Sequence, residues 1–249
     1  MEINEQKYLK IVLKTIDAKL AECKQRAESL TAKLKEKMRY TKENFSELSR
    51  GGDLSAIGVQ INETELLEHE AHNEVRKIER QKALPYFARV DFLPNGITNT
   101  QNIYIGIGNV TSGQKILVVD WRAPVSSLYY DYEIGKASFM ASEKKIDGEI
   151  TLKRQYKIEN GQLINYFDSD VTVNDEILRD ILSKNVSTKM KQIVSSIQKE
   201  QNQIVRKDVD ENILVQGIAG SGKTSIALHR AAYLLYKYRK QIKSSDILI

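Results

Sequence analysis

This chain is poor in the residues that build disulfides, metal sites and membrane spans. Its 249 residues include one cysteine, three histidines, three prolines and one tryptophan. A lone thiol excludes a disulfide framework, and Cys23 falls on an apolar helical stripe, so it reads as a reduced structural thiol rather than a nucleophile or ligand. His69, His72 and His229 have no ligand cluster around them in the sequence, which argues against metal chemistry through Cys and His. No stretch approaches about 18 uninterrupted apolar residues, and Met1 to Lys10 lacks the apolar core of a signal peptide. Export and membrane insertion are therefore not expected, and the cytoplasm is the natural compartment. An excess of one charge is lacking too. The 38 Lys and Arg against 33 Asp and Glu leave a formal charge of +5, compatible with an anionic partner but too modest to demonstrate nucleic-acid binding. What the chain has in quantity is core material: 41% hydrophobic residues and a length beyond one average domain describe a soluble multidomain protein.

The first 84 residues contain no proline and are rich in Lys, Glu, Gln, Ala and Leu. Leu9, Leu13, Ile16, Leu20, Cys23, Ala27, Leu30 and Leu34 recur in alternating steps of four and three, the spacing of a coiled-coil seam. A break at Arg50-Gly51-Gly52-Asp53-Leu54-Ser55 precedes a second helical pattern from about residue 56 to 83, with Leu67, Ala71, Val75 and Ile78 as its apolar face. The spacing predicts an antiparallel coiled-coil hairpin over residues 1–84 with its tip near 46–56, in preference to a plain dimeric coiled coil. A first helix from 4 to 46 would span roughly 60 Å and the return arm about 40 Å, so the N-terminal half of the first must bury its stripe against the globular body.

Residues 85–170 change to a period-two texture rich in Val, Ile, Tyr and Phe. Strands are expected over 86–92, 102–110, 115–122, 127–133, 136–141, 149–158 and 162–167, with turns at Asn95-Gly96, Asp147-Gly148 and Asn160-Gly161, the last two suiting tight hairpins. This predicts a small antiparallel β domain, barrel-like in outline. Within it, Asp120-Trp121-Arg122-Ala123-Pro124 carries the only tryptophan and a candidate Asp–Arg pair, read as a core anchor rather than a binding surface. No acid/base pair or nucleophile constellation emerges in this segment. Residues 171–195 read as a helical connector.

The chemistry is concentrated near the C-terminus. Gly217-Ile218-Ala219-Gly220-Ser221-Gly222-Lys223-Thr224 has the spacing of a phosphate-binding loop. Glycines let backbone N–H groups curl around the β- and γ-phosphates, the lysine adds a point charge, and the threonine hydroxyl is a Mg²⁺ ligand. Ile213-Leu214-Val215 is expected as a buried strand leading in. Ser225 to Tyr238 is expected as a helix leading out, apolar at Ile226, Leu228, Ala231, Leu234 and Leu235. That helix would aim its positive end at the phosphates, which disfavours a purely structural glycine turn. Ser244 to Ile249 looks like the start of the next parallel strand. Gln201 lies 16 residues before Gly217, and an amide there suits both the adenine N6 donor and the N7 acceptor.

The register of Gln201 with the loop, and Ile197 in an aliphatic slot before it, resembles the Q motif and Walker A of UvrD-type superfamily 1 helicases. Taken in order, Tyr86-Phe87-Ala88-Arg89-Val90-Asp91-Phe92, Tyr104-Ile105-Gly106, the Asp120 to Pro124 block, Leu152-Lys153-Arg154-Gln155-Tyr156, Gln201 and the loop followed by Ala227-Leu228-His229-Arg230 extend the likeness. The whole chain resembles the N-terminal part of the HelD family, helicase-like factors associated with bacterial RNA polymerase.

The fold expected is α+β multidomain: coiled-coil hairpin, small antiparallel β domain, helical connector, and over 196–249 an incomplete P-loop RecA-like α/β domain. The resemblance implies ATP and Mg²⁺ as cofactors, held by Gln201, Gly217, Ala219, Gly220, Ser221, Gly222, Lys223, Thr224 and Ser225, with Lys223 and Thr224 catalytic and Thr224 on the metal. It also implies a monomer that binds RNA polymerase core enzyme through its coiled coil, meets DNA or RNA in the complete protein, and promotes nucleic-acid release and polymerase recycling. A DNA-repair or recombination helicase and a non-enzymatic polymerase-binding module are the alternatives. Chromosome-organising ATPases place their loop before the coil and are discounted. Glu43, Glu47 and Asp53 near the hairpin tip form no adjacent acidic pair, so transcript cleavage is not expected. The Walker B acids, the transition-state arginines and the second RecA-like domain belong beyond Ile249, so the 249-residue chain alone is expected not to turn over ATP.

Overall fold

The computed structural model describes residues 4–51, 54–141, 144–168, 199–210, 212–218 and 220–248. The expected connector over 171–195, together with Ile197, Ala219, Gly52 and Asp53, lies outside the described residues. The chain divides into two compact units. One comprises Met1–Pro85, Val110–Gln114 and Ile158–Leu163; the other comprises Tyr86–Asn109, Lys115–Lys157 and Ile164–Ile249.

The first unit is built on two long helices, α1 (Glu5–Glu43) and α3 (Leu54–Ala83), with the short α2 (Phe45–Gly51) between them. Asn4 caps α1, its Oδ1 accepting the Lys7 N–H at 3.0 Å. The expected single helix to residue 46 stops earlier, at Asn44. There the backbone N–H makes the last helical bond, to the Tyr40 carbonyl at 3.0 Å, and the side-chain amide donates to the same oxygen at 2.9 Å, capping the helix end.

Cross-helix pairs Asp17–Lys82, Lys24–Glu79, Thr31–Glu68 and Lys37–Thr64, at 2.7, 2.8, 2.8 and 3.0 Å, make α1 and α3 antiparallel. The ion pairs are half-exposed and contribute about 0–1 kcal/mol each. Burial dominates instead: Leu9, Val12, Ile16, Leu20 and Ala27 of α1, with Ala71, Val75 and Ile78 of α3, are inside. Leu13, Cys23, Leu30 and Leu34 of the expected seam are half-buried, and burial raises the Cys23 thiol pKa, consistent with an inert thiol. Leu13 meets the turn at Gly161, where a Cβ would stand 3.4 Å from its Cδ2. Segments 110–114 and 158–163 thus belong to the same unit as the N-terminal half of α1, as its unpaired stripe required.

One residue of the expected α3 face is displaced. Leu67 is exposed, and the inward heptad positions are instead Thr64 and Glu68, three residues before it and one after. Both are polar and are satisfied across the helix pair by Lys37 and Thr31. Periodicity among apolar residues does not register a polar layer.

The second unit carries most of a seven-stranded, curled half-barrel sheet in the order β3-β4-β2-β1-β6-β5, with β7 pairing β6. The strands are β1 (Ala88–Pro94), β2 (Gln101–Gly106), β3 (Val110–Ser112), β4 (Lys115–Asp120), β5 (Gly135–Ala141), β6 (Lys144–Glu159) and β7 (Gln162–Asp168). Strand β1 sends Ala88, Val90 and Phe92 into the core. Its alternate positions carry Arg89 and Asp91, buried as a two-pronged pair at 2.6 Å with Arg89 over the Tyr104 ring. Burial works against the Arg89 charge, and the hydrogen bonds to Asp91 more than offset it, raising the guanidinium pKa.

Three expectations for this sheet are corrected. It is not wholly antiparallel: Ile105 pairs with Val119 and Gly106 with Asp120 in parallel, because the turn at Gly113 returns the chain as β4 between β3 and β2. Residues 127–133 are not a strand. Pro124 opens a 3-10 turn that continues as α4 (Ser127–Asp131), burying Leu128, Tyr129 and Tyr130 in succession, which a strand with two opposite faces does not do on one core. Asp147-Gly148 is not a turn but the interior of β6, paired on both sides with β1 and β5. The β5–β6 connection falls at residues 142–143, outside the described residues, between the paired Ala141 and Lys144. Asn160-Gly161 does form the β6–β7 turn, with φ of 51° and 76°.

Gly148 is where it is because the register shift at Asp91/Phe92 brings β1 against it. A Cβ there would overlap the Leu93 carbonyl oxygen and stand 2.6 Å from Phe92 Cζ. Gly148→Ala is expected to destabilise the fold by about 1–3 kcal/mol, read from the midpoint of urea unfolding; an unchanged midpoint would refute this packing.

Candidate nucleotide-binding loop

Residues 217–218 and 220–222 lead directly into α6 (Lys223–Lys237). Gly220 and Gly222 have φ of 82° and 84°, a left-handed conformation that costs other residues about 1–2 kcal/mol. Gly217 is required for a different reason, since a Cβ there would stand 2.6 Å from Ser221 Oγ. The Ser221 N–H closes the turn onto the Ile218 carbonyl at 3.2 Å.

Lys223 folds back over this turn. Its ammonium donates to the carbonyls of Gly217 and Ile218 at 2.8 and 2.7 Å, with Ser221 Oγ at 3.5 Å. Among the described residues no carboxylate pairs with it, so its charge is countered only by neutral dipoles. Thr224 and Ser225 follow in the first helical turn, exposed beside the N–H groups that an α-helix leaves without intrahelical partners. Lys223, the glycines and the helix start thus lie together on one solvent-facing turn, an arrangement suited to an anion.

The flanks differ from expectation. Residues 212–218 form no strand, and Leu214 is 93% exposed; residues 244–246 form a 3-10 turn, and Leu248 is fully exposed. A buried parallel strand exists only between hydrogen-bonded neighbours and covering helices, and among the described residues no strand pairs with either segment. The helix leading out is displaced by two residues from its expected start, and its buried positions are Ile226, His229 and Tyr233, while Leu228 is exposed.

Gln201 lies on α5 (Lys199–Arg206) and is brought to the loop: a Cβ on Gly222 would be 3.9 Å from Gln201 Nε2. Three further residues, not identified from sequence, fix this arrangement. Arg230 of α6 spans the C-terminal end of α5, donating to the carbonyls of Ile204, Lys207 and Asp208 at 3.1, 2.6 and 2.7 Å. Asn202, fully buried, donates to Asp131 Oδ1 at 2.7 Å and accepts from Arg206 Nε at 3.0 Å. Arg206 then reaches the backbone of the tryptophan block, donating to the Trp121 carbonyl at 2.7 Å and to those of Arg122 and Ala123 at 3.4 Å.

The tryptophan block is therefore an anchor, as expected, and it anchors both helices. Trp121 is 6% exposed and meets the His229 ring edge-on at 5.7 Å; His229 Nδ1 in turn donates to the Ser225 carbonyl at 2.6 Å. Arg122 is held by Asp120 at 2.8 and 2.6 Å and lies over the Tyr236 ring. Tyr129 and Tyr130 complete the surrounding core. Burial pushes Tyr129 up to about 12 and Tyr130 higher still, which suits packing groups rather than acids or bases. The sequence signal for Arg230 was its place in the Ala227-Leu228-His229-Arg230 block that follows the loop, which did not say what it touches. Asn202, Arg206 and Asp131 gave none, because their partners are distant backbone or side-chain atoms.

Comparison with known families matches the chain in two segments. The family described as DNA helicase IV HelD, N-terminal domain, matches residues 3–184, and the UvrD/REP helicase N-terminal domain matches residues 197–249. No curated protein matches the chain.

Arg206→Ala removes the close donor to the Trp121 carbonyl and the longer contacts to those of Arg122 and Ala123, the last of which keeps the Ser126 N–H, and takes a cation from beside the Tyr130 and Tyr233 rings. The expected loss is about 2–3 kcal/mol in urea unfolding, with Arg206→Lys recovering only part of it. A loss below about 0.5 kcal/mol would be that of an ordinary surface site.

Proposed function

Because this chain belongs to the HelD family and carries a UvrD/REP-type helicase N-terminal domain, we propose that it is the nucleotide-binding and polymerase-binding portion of an ATP-dependent, helicase-like factor. The factor binds bacterial RNA polymerase core enzyme through its α1–α3 coiled-coil hairpin and promotes release of DNA or RNA and recycling of the polymerase. The observation that carries the nucleotide half is the position of Lys223, an ammonium held over a glycine turn at the start of a helix without a carboxylate partner.

The residues fit a Mg²⁺–nucleoside triphosphate. Left-handed Gly220 and Gly222 leave the turn open to backbone approach, and Lys223 needs only to exchange two neutral carbonyls for phosphate oxygens. Thr224 stands where its hydroxyl can hold Mg²⁺, and Ser225 lies in the same helical turn. Gln201 supplies the amide for adenine. ATP provides the phosphoryl-transfer free energy when bound; the residues of this chain bind and orient it. Turnover is assigned to the complete protein, where the resemblance places the Walker B acids and transition-state arginines.

The polymerase half rests on the family and on the hairpin. Met38, Tyr40, Phe45 and Val59, flanking α2, are all more than half exposed, an apolar surface around the hairpin tip that suits a protein partner. No helix among the described residues is long and apolar enough to cross a membrane.

Lys223→Ala in the complete protein is expected to lower ATP turnover at least about a hundredfold with an unchanged circular dichroism spectrum. The 249-residue chain alone should release no phosphate above background. A pull-down with core polymerase, with and without ATP, tests the partner: retention of the 249-residue chain supports the assignment. Failure to bind core, together with unwinding of naked duplex by the complete protein, would favour a repair helicase.

A further inference from the structure

Resting on the nucleotide reading above, we infer that Arg230 is a positioning residue for adenine selection: it sets where Gln201 stands relative to the phosphate loop. The reason is geometric. Gln201 and the loop lie on separate segments, α5 and the start of α6, and base recognition needs a fixed offset between them, because a hydrogen-bonding amide tolerates only a few tenths of an ångström of displacement. Arg230 sits two turns into α6, on the same rigid helix as Lys223. Its guanidinium takes the carbonyl of Ile204 in the last turn of α5 and those of Lys207 and Asp208 just after it; the Ile204 oxygen otherwise meets only a long contact from the Lys207 N–H at 3.4 Å.

One planar cation therefore joins the base-reading helix to the phosphate-reading helix. Three divergent acceptors engage more than one nitrogen of the fork, so a lysine at this position keeps the charge but not the geometry. A second link, Lys237 and Tyr238 to the Asp208 carboxylate, lies further along and is exposed, so it steadies the loop after α5 without reaching Gln201. Arg230 touches neither base nor phosphate in this arrangement; its action is through α5.

The test is a set of Mg²⁺-dependent binding titrations on the full chain with ATP, GTP and inorganic tripolyphosphate. The wild-type chain prefers ATP to GTP, and Gln201→Ala removes that preference. In Arg230→Ala the dissociation constant for ATP rises about tenfold, the worth of one well-placed hydrogen bond, while GTP and tripolyphosphate are bound as before. Arg230→Lys, which keeps the helix soluble and charged, gives the same loss of selectivity if Arg230→Ala fails to fold. Equal weakening of all three ligands in the folded variants would make Arg230 a purely structural residue and overturn the inference. An unchanged ATP/GTP ratio in Arg230→Lys and Arg230→Ala, with Gln201→Ala still reducing it, would overturn it as well. Failure of the wild-type chain to bind tripolyphosphate, or binding undiminished by Lys223→Ala, would instead remove the nucleotide reading and this inference with it.

Discussion

The second unit depends on one guanidinium more than on any other side chain. Arg206 donates to the Asn202 side-chain oxygen on its own helix and to three successive carbonyls of the tryptophan block. Those carbonyls lie where the chain leaves β4 for a proline-led turn, so no sheet partner is left for them. A buried carbonyl without a donor costs about 1–3 kcal/mol, and an ion without acceptors costs more. Each side solves the other's problem. With that joint made, Trp121 can face His229, Arg122 can cover Tyr236, and the two helices that flank the glycine turn share one foundation.

The loop itself is stabilised by little. It is exposed, Leu214 in its lead-in is solvated, and its shape comes from two left-handed glycines, one serine contact and the lysine that folds back across it. This is a reasonable construction for an anion site. Backbone N–H groups must stay accessible, and the cation must be loosely held by neutral dipoles so that phosphate can replace them. The rigid part is set behind the loop, in α5, α6 and the tryptophan block, and the responsive part in front.

The first unit follows a different balance. Apolar layers hold the half of the helix pair nearest the chain's start, and threonine, lysine and glutamate hold the half nearest α2. A hydrogen-bonded layer in a helix pair contributes less than an apolar one, and it fixes register because only one alignment satisfies all the groups. The long α1 therefore keeps its alignment up to a tip whose apolar side chains point outward.

Much of this was written in local pattern. The four-three spacing from Leu9 to Ala27 sufficed for the helix pair, the β-branched and aromatic runs for six of the strands, and glycine spacing with a lysine for the turn before α6, because each depends on residues within a few positions of one another. What failed was what local pattern cannot hold. Gly148 reads as a turn until β1 is brought against it; residues 127–131 read as a strand until Pro124 and one-sided burial of three neighbours turn them into a helix; Ile213 to Val215 read as buried although they pair with no strand among the described residues. Thr64 and Glu68 replaced Leu67 on the inner face because their partners lie on the other helix. The sequence by itself determined most of the element types, the glycine turn with its lysine, and the family. Only tertiary structure decided that Arg206, Asn202 and Arg230 are the groups that bring Gln201 to the loop, since a side chain whose partners are distant carbonyls has no signature until the chain has folded around it.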